Sequence, residues 1–245
     1  SRIFLYGDGD TKEYLAFLND EYLLNFESER VESFVDIQRR FHRPKRKVTY
    51  YPVSRGESLD KKTFVAVGFK LDKATRHEHC LAFSILSYLL LDTSASPLRK
   101  ALIDSGLGSE IIGGGFDDNR LETMFAVGMK GTEAEHEEKI FDLIFSTLRD
   151  LVEKGIDENM VESAVNSFDF KLREANFGGF PKGIVYNIQA LASWLYGSDP
   201  FIHLKYDKLM RKIKRQAGQG YFECLIKKHL LDNRHQSIML AVPKV

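Results

Sequence analysis

Cysteine is scarce in this chain: only Cys80 and Cys224 occur in 245 residues. Two distant thiols cannot build a disulfide framework and lack metal-ligand spacing, which leaves buried or half-buried thiols in a reducing compartment. Excess charge of either sign is also missing. The 35 basic and 35 acidic side chains cancel to a net charge of zero, so no global field draws the protein to nucleic acid or an anionic membrane surface. Long apolar runs are absent as well. The longest, Leu81 to Leu91, is interrupted by Ser84 and Ser87 and falls far short of the ~20 residues that span a bilayer. There is no basic-then-apolar N-terminal signal. What the chain does have is 43% hydrophobic and 29% charged residues, a balance that excludes global disorder and supplies a core for one large domain.

Periodicity organises the rest. Arg2–Tyr6 reads as a short strand, and Asp10 or Thr11 caps a helix expected to bury Leu15, Leu18, Tyr22 and Phe26. Residues 27–41 read as loop, ending in the basic run Arg39–Lys47. Val48–Val53 and Thr63–Leu71 read as strands, the second apolar on both faces and therefore central. Leu81–Leu91 predicts a buried helix, and Ser96-Pro97 opens a short one reaching about Ser105. Glu110–Asp117 and Leu121–Lys130 predict a strand pair turning at Asp117-Asp118-Asn119. Thr132-Glu-Ala-Glu135 reads as a capping box for a helix whose apolar face runs from Ile140 to Val152. Gly155 stops that helix and Asp157 caps the next. Helices continue from about Ile188 to Leu231, Asp199-Pro200 starting one of them, and Ser237–Val242 predicts a closing strand. Grouped strands and helices argue for an α+β fold, a two-layer sandwich of a mostly antiparallel sheet packed by helices. No linker divides the chain, so residues 1–245 read as a single domain.

Candidate chemistry is thin. His77-Glu-His79 tempts as a metal pair, but imidazoles two apart diverge by about 200° on a helix. They begin a predicted helix, and a solvated helix start is the expected reading. Neither H-E-x-x-H nor H-x-x-E-H occurs. Asp8-Gly-Asp10 reads as a turn and helix cap, since the distal ligands of a calcium loop are missing. The basic run Arg39–Lys47 could contact phosphates, but Pro44 and the following strand make it an exposed loop, and no nucleic-acid partner is assigned. Gly113-Gly-Gly115 has no phosphate-loop spacing; it reads as a bulge, or as a place where another backbone approaches closely. No Ser, Cys or Thr carries the features of an activated nucleophile.

Several strings in order match something more specific. Arg2–Asp8, Leu91–Gly108, Met129-Lys-Gly131, Leu172-Arg-Glu174, Phe180-Pro-Lys-Gly183, Asp199-Pro-Phe201 and Leu204-Lys-Tyr206 resemble the second domain of presequence proteases. These are zinc metallopeptidases of the insulinase and pitrilysin type. The resemblance implies a parent enzyme of four related α/β domains enclosing a chamber in which short unstructured peptides are cut. Zn2+ sits in the first domain, on an H-x-x-E-H helix. This chain then corresponds to the noncatalytic second domain of the N-terminal half. In the matching helix Phe83 and Ser87 fall where histidines would ligate, and Leu86 where the general base would stand. No catalytic residue, metal ligand or cofactor carries over to this segment. The partners implied are the other domains of the same polypeptide and a peptide substrate, with no membrane. The isolated domain is expected to self-associate through its partner-facing surface. The family implies an organellar matrix or cytoplasm. Gly113, Gly114, Gly115 and Phe116 are the expected substrate-binding residues, a sheet edge adding the peptide as a strand. The rival reading is a freestanding structural or interaction module with the same fold and no proteolysis.

Overall fold

The strand that is apolar on both faces, Thr63–Lys73 (β2), is buried most deeply on alternate residues: Val65, Val67 and Phe69 are fully buried. In the computed structural model, which describes residues 2–32 and 34–245, this strand lies at the middle of a five-stranded sheet ordered β1-β5-β2-β4-β3. Its companions are β1 (Lys45–Pro52), β3 (Glu110–Asp117), β4 (Glu122–Thr132) and β5 (Gln236–Lys244). β2 pairs antiparallel with β4 and β5, and β3 pairs antiparallel with β4. Among the described residues only β1 and β5 run parallel, Lys45 facing Ser237 and Pro52 facing Lys244. The fold is α+β and mostly antiparallel, as the grouped pattern predicts.

One sheet face is covered by helices. Val65 pairs with Met129, Val67 with Val127 and Phe69 with Phe125, and this row meets the apolar stripe of α4 (Glu137–Lys154): Ile140, Ile144 and Leu148. Phe69 stacks edge-on to Phe145 of α4 at 6.0 Å. The same core takes in α2 (His77–Ser87), α3 (Pro97–Asp104), α5 (Glu158–Glu174), α7 (Asp207–Ala217) and α8 (Tyr221–Ile226). α2 is buried on nearly every side, from Cys80 through Ser87, and continues into a π-helical turn at Tyr88–Asp92. The stretch from His77 to Asp104 is long and apolar enough for a membrane span, but 61% of its most apolar window is buried in the core. The chain also breaks from helix at Thr93 before α3 begins.

Local chemistry sets several boundaries. Asp10 caps α1 (Thr11–Glu21) by accepting from the Lys12 amide at 2.7 Å, and Asp157 caps α5 by accepting from the Met160 amide at 3.0 Å. Pro97 occupies the first turn of α3, although the Ser96 hydroxyl turns back to the Tyr88 carbonyl instead of capping. The capping box at Thr132–Glu135 does not form. Thr132 ends β4, its hydroxyl meets His136 Nδ1, and α4 begins five residues later, after a 3-10 turn. Asp199-Pro200 likewise leads only to a 3-10 turn, Ile202–Leu204, before α7.

The N-terminal segment departs most from expectation. Arg2–Tyr6 forms no strand; it runs along α6 (Lys182–Trp194), with Tyr6 against Tyr186 at 5.2 Å and Arg2 over the Trp194 ring at 5.0 Å. α1 buries no residue. Leu15, Tyr22, Leu24 and Phe26, two to three quarters exposed, face outward, and so do Val31, Phe34 and Val35. Helical periodicity marks an apolar face correctly, but not the body that covers it.

Candidate functional site

β3 is an edge strand, so its outer backbone faces no other strand. It is also bulged: Ile112 pairs with Gly128 and Gly115 with Ala126, so Gly113 and Gly114 together oppose Val127. All three glycines have positive φ, at 103°, 71° and 74°. Two of them are glycine for reasons internal to the domain. A Cβ on Gly113 would lie 2.6 Å from the Ala126 carbonyl of β4, and one on Gly115 would lie 2.0 Å from Ser87 Oγ. At these two positions the close approach is made by the domain itself, by the β4 backbone at Gly113 and by the Ser87 side chain of α2 at Gly115. Gly114 alone has open space where its side chain would be. Phe116 is half-buried, its ring 5.8 Å from Phe83 and its amide donating to Ser87 Oγ at 3.1 Å.

α2 lies directly beneath this edge. Phe83 and Leu86 are fully buried and Ser87 nearly so. Phe83 sits against Phe116, His79 and His229, its ring 4.5 Å from that of His79. Neither Phe83 nor Leu86 offers a donor atom, so a catalytic zinc does not fit this helix.

The start of α2 is only partly solvated: Arg76 and Glu78 reach solvent, while the two histidines turn inward. His77 and His79 are half-buried and diverge: His77 meets the His203 ring at 5.2 Å, and His79 meets that of His229 at 4.9 Å. Burial, with the neighbouring imidazole in each case, lowers both to about 4, so both rings are neutral at physiological pH. Burial pushes the Cys80 thiol up to about 12, assisted by the Asp118 and Asp72 carboxylates. Beside them, donor atoms of Cys80, Asp118 and His203 lie within 4.8 Å of one another. These three residues sit on α2, the β3–β4 turn and the Ile202–Leu204 turn, so no local spacing announces the group.

The basic run divides between loop and sheet. Lys45, Arg46 and Lys47 open the exposed edge strand β1, where charge discourages pairing with foreign strands. Arg46 makes a two-pronged pair with Glu137 at 2.6 and 2.7 Å, and Lys45 sits 4.1 Å from the Phe41 ring centre. Between the sheet, the segment at 30–38 and the end of α6, a groove of about 1170 Å³ is lined by Val31, Phe34, Gly68, Met124, Leu195 and Ser237 among others.

Comparison with known proteins defines the class of this sheet-and-helix domain. The chain belongs to the peptidase M16 inactive-domain family, whose model matches residues 1–168. It is 40% identical over 244 residues to Protein HypA of Clostridium perfringens, covering 100% of this chain and 25% of that protein. It is 37% identical over 243 residues to Presequence protease 1, chloroplastic/mitochondrial, of Arabidopsis thaliana, covering 96% of this chain and 22% of that one. Among solved structures, the peptidase M16 inactive domain from Pseudomonas fluorescens matches with a TM-score of 0.66 at 14% identity, over 96% of this chain and 52% of that one. The chain thus spans about a quarter of the length of the curated relatives it matches. M16 parent enzymes are zinc metallopeptidases, and this noncatalytic domain holds none of that motif on α2.

Proposed function

We propose that this chain is the noncatalytic second domain of a presequence-protease-like zinc endopeptidase that degrades short unstructured peptides. It shapes the wall of the peptide chamber and supports the zinc domain. Full burial of Phe83 and Leu86 carries this reading, because the helix that would hold zinc in a catalytic copy is here core packing. The apolar side chains left outward between Ile3 and Ile37 support a domain built to be covered by others of the same polypeptide. The relatives' names, chloroplastic and mitochondrial for one and bacterial for another, support an organellar matrix or a cytoplasm. Peptide engages the β3 edge by strand addition beside Gly113, Gly114, Gly115 and Phe116. Such pairing relies on main-chain hydrogen bonds and so accepts many sequences.

A fluorogenic unstructured peptide, zinc and a chelator control test the division of labour. The 245-residue chain alone gives no zinc-dependent turnover, while a polypeptide that also carries an upstream H-x-x-E-H domain does. Chelator-sensitive turnover by this chain alone overturns the reading. Fluorescence anisotropy with a labelled peptide tests the edge: N-methylation of alternate peptide amides removes binding if backbone pairing carries it. Undiminished binding of the methylated peptide rejects strand addition.

A further inference from the structure

We infer that His77, Cys80, Asp118 and His203 form a structural zinc site, distinct from the catalytic zinc of the parent enzyme. Three of the donors already converge: Cys80 Sγ, an Asp118 carboxylate oxygen and a His203 ring nitrogen lie within 4.8 Å of one another. Zinc bonds of 2.0–2.3 Å in a tetrahedron place ligand atoms about 3–4 Å apart, so metal entry requires a contraction of roughly an ångström. The fourth donor, His77, stands outside that group of three: it precedes Cys80 by three residues on the same face of α2, its ring lies 5.2 Å from that of His203, and a rotation of its side chain is required to bring a nitrogen to the metal.

The environment calls for a cation. Cys80 is 2% exposed, and its thiol donates to the Ala74 carbonyl at 3.4 Å with a weaker contact to the Lys73 carbonyl at 4.0 Å, which leaves the sulfur lone pairs free for a metal. His203 Nε2 is buried with no hydrogen-bond partner among the described residues. A buried imidazole nitrogen left unpaired costs free energy unless something occupies its lone pair or takes its proton. A divalent metal resolves these demands together. A thiolate and a carboxylate supply two negative charges, two neutral imidazoles supply nitrogen, and the sum with Zn2+ is zero. The thiol proton leaves to solvent as the metal binds. A mixed sulfur, nitrogen and oxygen set in a closed tetrahedron selects zinc over magnesium or calcium, which take oxygen.

Such a site would join three distant parts of the chain: the start of α2, the β3–β4 turn that follows the edge strand, and the turn before α7. It would brace the sheet edge without touching substrate.

Cobalt substitution tests this on the 245-residue chain or on any longer polypeptide containing it. The parent's zinc motif holds no thiolate, so a sulfur-to-cobalt charge-transfer band in the near ultraviolet reports this site alone. One equivalent of Co2+ produces that band together with tetrahedral d–d absorption. Zn2+ displaces it and raises the thermal midpoint by about 5–10 °C at a hundredfold excess over its Kd. Cys80→Ser loses the band and Cys224→Ser keeps it. His203→Gln and Asp118→Asn, which nearly preserve volume, keep the fold by circular dichroism and weaken metal binding at least tenfold. Absence of the band in the folded wild-type chain overturns the site. So does a band that survives Cys80→Ser, or metal affinity unchanged in the folded Asp118 and His203 variants.

Discussion

Ser87 Oγ accepts the Phe116 amide proton at 3.1 Å, and the same oxygen stands 2.0 Å from where a Cβ on Gly115 would lie. One hydroxyl on α2 thus ties down the edge strand and also dictates that its neighbour be glycine. Gly115→Ala is expected to destabilise the fold by about 2–4 kcal/mol, combining the clash with the strain of a positive φ. Ser87→Ala in the same chain removes the obstructing oxygen and recovers part of that loss. A double-mutant cycle by urea unfolding measures the coupling, and simple additivity counts against the contact.

Rebuilding a zinc motif on α2 should fail for reasons of packing. Leu86 has no exposed surface, and a carboxylate there has no cation to meet. Leu86→Glu is expected to cost about 4 kcal/mol or more and to abolish cooperative unfolding near neutral pH. Calorimetry of that single variant checks it, with Leu86→Met as the volume-matched control losing less than about 1.5 kcal/mol.

Acid stability should depend on Asp169. Burial pushes this carboxyl up, but Lys214 at 2.6 Å and Arg173 at 2.9 Å outweigh burial and hold it below the usual aspartate range. A carboxyl lowered in the folded state stabilises above its unfolded value of 3.8 and loses that contribution as pH falls through the lower folded value. Asp169→Asn therefore weakens the fold by about 1–2 kcal/mol at pH 7. The difference from the native chain shrinks below about pH 3.8. Unfolding midpoints between pH 2 and 7 read this directly; a difference independent of pH counts against the ion pair.

Exposed apolar side chains near the N-terminus should drive association of the isolated chain. Leu24 and Phe26 are 71% and 75% exposed. Leu24→Lys with Phe26→Ser is expected to lower self-association several-fold in sedimentation experiments. Stability stays within about 0.5 kcal/mol, as for other surface substitutions. Unchanged association places the sticky surface elsewhere.

Legibility in the sequence followed the range of the forces involved. β2, the β3–β4 hairpin and the caps at Asp10 and Asp157 are local events, and period, turn residues and cap chemistry announce them. The failures are tertiary. Thr132 and Glu135 have the right spacing for a capping box, but Thr132 is held as the last residue of β4 and its hydroxyl turns to His136. α1 has an apolar stripe with no partner inside the domain. The positions of Gly113 and Gly115 were visible, but not that Ala126 and Ser87 fill the space beside them. Cys80, Asp118 and His203 meet only because helix α2 and two separate turns converge, which no spacing rule detects.

The placement of β5 between β1 and β2 has a consequence for synthesis. One of the sheet's three interior positions is filled by Gln236–Lys244, close to the end of this sequence. While the ribosome still holds that segment, β1 lacks its ladder and β2 presents a long unpaired flank from Phe64 to Phe69. Closure of the sheet is thus a late, long-range event, of the sort that slows folding and invites mispairing during the wait. In a longer polypeptide, a domain following in the chain would begin to emerge at the very stage when this one seals.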